Sequence, residues 1–302
     1  MPKELTHWWL AAEAVQQLPL DRTIRQLLEE HQSAYLVGSV LPDTLLHLVR
    51  GPWSATALKL VQSFHEPPGN SFTPLLRYLE QHSPLSPAAT ACLLGVAAHM
   101  EADIAFHPYI CALSGDDLGR HYQIETELDL YLLHTGRQPP AWRLQELLRK
   151  EVVEVAVSVL EGVFDPQSHL PRAVVQQTLH LHSRIQGMYG SPYWQLTARL
   201  LGMLPLPSLK RWQKLFYPLH WRKGQVRQWP ARWRHRVTGQ ERGDTPDGLI
   251  VEACNRITGL LRKADEQGLV RCFREQPGEN LVTGLVFPHG HTPTATSATA
   301  QL

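Results

Sequence analysis

The stretch Ala91–Leu113, ACLLGVAAHMEADIAFHPYICAL, decides the fold. It is apolar almost all round, which for a helix means burial inside a larger protein. Ser86 followed by Pro87, a capping residue and then proline at the first helical position, gives the helix a defined start. Yet His99, Asp103 and His107 interrupt it at a spacing of four. Residues four apart share one face of a helix, so the three polar groups form a single column. Burying such groups unpaired costs on the order of several kcal/mol each, so the column must find partners elsewhere in the chain.

The next helical segment offers them. His121, Glu125 and Asp129 repeat the same spacing, and two His–carboxylate columns that face each other can share metal ions. Imidazole nitrogen and carboxylate oxygen are donors that zinc takes. His7 lies in the first turn of the chain. Asp43 sits where Gly38 and Pro42 break the helical pattern, at a loop or helix start, and His65 ends a segment just before EPPGN. That is more donors than one tetrahedral zinc needs, so a cluster of ions is expected. A single His-x-x-x-Asp fits a plain hydrogen-bonded pair equally well; the two columns and three further donors together favour metal. Among the other histidines, His31, His47, His82, His134 and His169 lie among polar residues and read as surface side chains. His180 and His182, two apart on a helix, face different ways, and His289 and His291 fall in a polar tail where they could bind metal adventitiously.

Around this centre the chain reads as helix throughout, with almost no strand-like alternation. The expected class is all-α, a multi-helix bundle. LTHWWLAAEAVQQL is one amphipathic segment, and DRTIRQLLEEHQSAYL is a second with Asp21 at the N-cap position. Later helices end at Gly190 and Gly268. The 302 residues suffice for one large domain or two modest ones. The division expected is a metal-binding helical core over 1–135, a helical C-terminal region over 142–274 packed on the same domain, and a largely disordered tail over 275–302.

A net charge of +1 gives no global pull toward nucleic acid or membrane. The stretch 209–237 is a local exception. It carries Lys210, Arg211, Lys214, Arg222, Lys223, Arg227, Arg232, Arg234 and Arg236 without an acidic residue, interleaved with Trp212, Trp221, Trp229 and Trp233. That composition suits peripheral contact with anionic lipid, a phosphate backbone with stacked bases, or a solvated face whose indoles pack inward. The four cysteines are scattered and read as free thiols of a reducing compartment. No leader and no uniformly apolar run of about 18 residues is visible, so no transmembrane segment and a cytoplasmic location are expected.

The motifs THWW, GSVLPD, FHEPPG, HMEAD with FHP, and HYQIE, in that order over roughly the first 130 residues, resemble the zinc-dependent phospholipase C family. The resemblance implies an all-helical fold shared with fungal single-strand nucleases and a di- or trinuclear zinc site. By that likeness Asp43, His65, His99 and Asp103 would hold a first zinc. His107, His121 and Glu125 would hold a second. A third would take His7, with Asp103 bridging. In the family the third ion also takes the amine and carbonyl of the mature N-terminal residue; here, trimming of Met1 would expose Pro2 for that role. The secreted members have a slightly longer gap than the four residues from Asp103 to His107; Pro108 is expected to bend the helix, which either re-aims that imidazole toward the second ion or leaves the second site altered.

The implied activity is zinc-dependent phosphodiester hydrolysis of phospholipase C type, with Asp43 both a ligand and the group that orients or deprotonates the attacking water. Trp8 and Trp9 either line the pocket mouth or pack at a helix end. Two other readings stay open: a nuclease acting on nucleic acid through the same site, and a non-catalytic metal-binding protein that keeps the fold.

Overall fold

The computed structural model describes residues 3–219 and 229–286. Pro2, His289, His291, Trp221, Arg222, Lys223 and Arg227 lie outside them. The chain runs through α1 (Glu4–Gln16), α2 (Thr23–Glu30), α3 (Gln32–Gly38), a 3-10 helix (Leu41–His47), α4 (Ser54–His65), α5 (Thr73–His82), α6 (Pro87–Ser114) and α7 (Leu118–His134). It continues with α8 (Leu144–Leu147), α9 (Lys150–Phe164), α10 (Arg172–Tyr189), α11 (Pro192–Gly202), α12 (Pro207–Gln213), α13 (Pro246–Gln267) and α14 (Leu269–Arg274). Strand is confined, among the described residues, to the two-residue ladder β1 (Trp233–Arg234) and β2 (Glu241–Arg242). The class is all-α, as the periodicity implies.

Helix α6 is the axis of the protein. Ser86 Oγ accepts the amide of Ala89 at 3.2 Å and caps its start. Leu93, Leu94, Val96, Met100 and Ile110 are wholly inaccessible, each contributing roughly 1.5–3 kcal/mol by leaving water. By length and composition α6 is apolar enough to cross a membrane, but 89% of its most apolar window is buried against other helices. It is the central core helix, wrapped by α1, α3, α7, α9 and α13. Helical geometry continues through Pro108 to Ser114, so the proline does not end the helix.

Two glycines set the closest packing. A methyl group at Gly95 would stand 2.1 Å from the Tyr35 carbonyl, and one at Gly38 2.1 Å from that of Cys92. Only hydrogen fits at either position, so the backbones of α3 and α6 touch.

The C-terminal helices close on this core. Arg256 of α13 bonds Glu101 Oε2 at 2.6 Å and Glu279 Oε1 at 2.8 Å, which explains why a carboxylate follows Met100. Glu101 points away from the His–Asp column and ties α6 to α13 and to the strip of turns beyond α14. That strip corrects the expected tail: over 275–286 the chain is packed, with Leu281 fully buried. The start of α2 is a second correction. Arg22, not Asp21, occupies its N-cap position, and Asp265 of α13 accepts the Ile24 amide at 2.9 Å, so the capping carboxylate is supplied in trans by a distant helix. The four cysteines are free, as read from their scatter.

The tryptophans described in the basic stretch pack inward. Trp233 is buried with its ring edge-on to Tyr109 at 5.5 Å, and Trp212 lies 4.6 Å from Phe216. Arg236 bonds Asp116 and the Gly115 carbonyl. These indoles form no exposed stacking platform.

Candidate metal centre

Helices α1, α4, α6 and α7 and the 3-10 helix bring together all eight of the sequence-assigned donors that are described. Three groups of donor atoms form, each within 4.8 Å: His7, Asp43 and His99; His65, His99 and Asp103; and His107, His121 and Glu125. Pro2 lies outside the described residues.

The imidazoles are oriented by backbone carbonyls. His65 donates Nδ1–H to Val61 O at 2.9 Å, His99 to Ser39 O at 2.9 Å, and His107 to Leu281 O at 2.7 Å. Fixing the proton on Nδ1 leaves Nε2 as the lone-pair donor, the arrangement that presents histidine to a metal. His99 Nε2 is buried without an aligned hydrogen bond, as are both nitrogens of His7, Asp43 Oδ1 and both oxygens of Asp103.

The spacing of these atoms fits a shared cation. Two donors about 2.0–2.1 Å from one tetrahedral zinc lie roughly 3.3 Å apart. Asp103 Oδ2 stands 3.1 Å from His99 Nε2 and 3.7 Å from His65 Nε2, and Asp43 Oδ1 is 3.7 Å from His65 Nε2. Asp103 Oδ1 turns the other way, 3.6 Å from His7 Nε2. One carboxylate thus addresses two groups of donors with different oxygens. In the third group, His121 Nε2 and Glu125 Oε1 are 2.8 Å apart. The Pro108 position leaves His107 with this third group, its ring 5.9 Å from that of His121.

Burial shapes the charge states. It pushes His65 down to about 4 and His107 down to about 3, and holds His7 well below the usual imidazole range with the help of neighbouring His99. These rings are neutral, the form that ligates. Burial also opposes charge on His99, but the Asp103 and Asp43 carboxylates outweigh it and raise its pKa. Burial, with Asp103 nearby, pushes Asp43 up to about 8. Burial opposes charge on Asp103 too, yet His99 and His107 hold its pKa well below the carboxylate range. Asp43 and His121 keep 18% and 21% of their side-chain surface accessible, so the centre meets solvent at these two donors.

Three sequence readings are decided here. Asp129, the third member of the α7 column, joins none of the donor groups. It accepts from Thr6 N, Thr6 Oγ1 and Tyr217 Oη at 2.9, 2.6 and 2.7 Å, tying α1 to α7. Trp8 is fully buried and donates to Leu36 O at 3.0 Å, so it is packing. His47, read as a surface residue, is half-buried and stacks on fully buried His182, with ring centroids 4.0 Å apart. With Glu4 they form a fourth donor group. His31, His82, His134 and His169 lie outside all four groups.

A family model described as zinc dependent phospholipase C matches residues 6–160. Neither the curated proteins nor the solved structures compared with the chain give a match. The matched span contains every family donor described above, and the fold, the buried cation-shaped donor groups and that match agree: the chain belongs to the zinc-dependent phospholipase C family.

Proposed function

We propose that the protein is a phospholipase C-like hydrolase of phosphodiesters, acting through zinc held by these donors. The observation that carries this reading is the set of carbonyl-anchored imidazoles gathered with buried carboxylates, of which Asp43 Oδ1 and both Asp103 oxygens lack an aligned hydrogen bond. Asp43, His65, His99 and Asp103 would hold one ion, His107, His121 and Glu125 a second, and His7 with Asp103 Oδ1 a third. Zinc there supplies Lewis acidity toward the phosphoryl oxygens and an acidified water.

The chain's residues do the rest. Asp43, with part of its side chain open to solvent, is the donor suited to orient the attacking water or take its proton. Water oxygen bonds to phosphorus, the ester P–O bond breaks, and the alcohol leaves carrying a proton. Asp103 fixes the spacing of the donor groups, and the carbonyls of Val61, Ser39 and Leu281 hold the imidazoles still.

Phospholipid is the preferred substrate. Tyr193, Leu196 and Leu200 recur along α11 at helical spacing and Met203 follows at its C-terminal cap; Tyr193 and Met203 are 70% and 77% exposed. Leu204 and Leu206 extend this stripe toward α12, where Lys210, Arg211 and Lys214 follow. An apolar stripe rimmed by cations suits an anionic lipid surface. Helix α12 also packs on α7, which carries His121 and Glu125. The described indoles of the basic stretch pack inward, which lends the nuclease reading no support from them. We place the protein in the cytoplasm on the sequence reading alone.

Zinc-loaded protein offered anionic phospholipid vesicles, a small soluble phosphodiester and single-stranded DNA tests the proposal. Release of phosphorylated headgroup, abolished by chelation and restored by zinc, is expected. Cleavage of DNA alone would replace the lipid reading by the nuclease one, and activity on none would favour the non-catalytic protein.

A further inference from the structure

Glu4, His47 and His182 lie outside the donors that the family resemblance uses, and Glu4 and His182 fall outside the matched span 6–160. We infer that they form a separate binding site for one divalent transition-metal ion of zinc type, seated between α1, α10 and the 3-10 helix.

The donors are in place and oriented. His182 Nε2 stands 3.3 Å from Glu4 Oε1, while its Nδ1 bonds Thr44 Oγ1 at 3.1 Å. His47 Nδ1–H donates to Asp43 O at 3.2 Å, which leaves Nε2 as its donor to the group. Both imidazoles therefore have an outer partner on one nitrogen and a ligand position on the other, as metal-bound histidines do. The second Glu4 oxygen, Oε2, is buried with no hydrogen-bond partner, on a residue more than nine-tenths buried. A buried carboxylate oxygen left unpaired, on a side chain grouped with two imidazoles, is costly, and a cation removes that cost.

One carboxylate and two neutral imidazoles make a set suited to zinc with water in the fourth position. Lys3 does not compete, because its ammonium bonds the Leu215 carbonyl and lies 3.6 Å over the Tyr189 ring. The three donor atoms lie within 4.8 Å of one another. Closing to the roughly 3.3 Å of a tetrahedral site requires His47 to tilt out of its stack, and His47 is only partly buried where His182 is fully so.

The position gives the ion a task. Helix α1 supplies Glu4 here and His7 to the larger centre, and the 3-10 helix supplies His47 here and Asp43 there. The His47 imidazole holds the Asp43 carbonyl. A metal at this site would clamp the two elements that deliver His7 and Asp43, and so position them.

Zinc content per chain, measured by elemental analysis on wild type, Glu4→Gln, His47→Gln and the double variant, tests the site. Circular dichroism confirms the fold of each, and fully buried His182 is left intact. Wild type is expected to hold one equivalent more than either single variant, with the double variant losing no more than each alone. His121→Gln, which removes a donor from the larger centre, should leave that difference unchanged even if it loses zinc of its own. Equal zinc in wild type and both single variants would overturn the proposal. Loss of more than one equivalent by either would also overturn it, since the residue would then serve the larger centre.

Discussion

His99 donates Nδ1–H to the carbonyl of Ser39 at 2.9 Å, across the helix pair where Gly38 and Gly95 let two backbones touch. The orientation of a ligating imidazole thus depends on a glycine contact one helical turn away. Gly95→Ala would place its methyl against the Tyr35 carbonyl, an immovable neighbour, and push α3 from α6. We expect a loss of about 1–3 kcal/mol in unfolding free energy from overpacking and a clear drop in zinc retained after dialysis. Thermal unfolding and elemental analysis check both. A variant that keeps wild-type stability and zinc would break the link between packing and ligation.

The strip beyond α14 has the same kind of role for His107, whose Nδ1–H is held by Leu281 O. Two truncated chains separate its contribution, one ending at Val286 and one at Arg274. The shorter should hold less zinc and lose the Arg256–Glu279 pair together with the burial of Leu281. Equal zinc in the two would show that the carbonyl does not position the imidazole.

Asp129 sets a pH dependence that a carboxamide in its place would erase. Burial pushes its carboxyl up to about 6, against the hydrogen bonds from Thr6 and Tyr217. A carboxyl whose folded pKa is raised favours folding below its unfolded pKa, and that advantage is lost as pH climbs through the folded value. The window runs from about pH 4 to about pH 6 and is worth roughly 3 kcal/mol. Asp129→Asn should therefore gain stability relative to wild type by about that amount between pH 4 and pH 7. Urea unfolding at both pH values measures it; a constant difference between the two proteins would contradict the assignment.

The α11 stripe predicts interfacial behaviour. Leu200→Glu with Met203→Glu removes apolar contacts of about 1.5–3 kcal/mol each if buried in lipid. Hydrolysis of anionic vesicles should fall about tenfold or more, while turnover of a soluble phosphodiester stays at wild-type level. A parallel fall on both substrates would mean that the change damages the fold rather than docking.

What could be read in the sequence followed from periodicity. A spacing of four put His99 with Asp103 and His121 with Glu125, and it placed α6 at the centre because no face of it was polar enough for water. Spacing alone misled at Asp129, which continues the α7 column in register but meets Thr6 and Tyr217 instead of a donor group. It also could not join Glu4 to His182, 178 residues apart, since neither lies in a column. The carbonyls of Ser39 and Leu281 that aim the imidazoles are invisible in sequence because any residue carries one. The inward packing of Trp233 depends on where Tyr109 emerges from α6, which composition does not encode.

The central claim is that the His–carboxylate columns exist to hold zinc. Elemental analysis of protein purified without added metal tests it most directly. The account predicts at least two equivalents of zinc per chain, falling in His99→Ala together with stability as its buried partners lose their cation. Less than one equivalent, with no rise after dialysis against zinc, would contradict it.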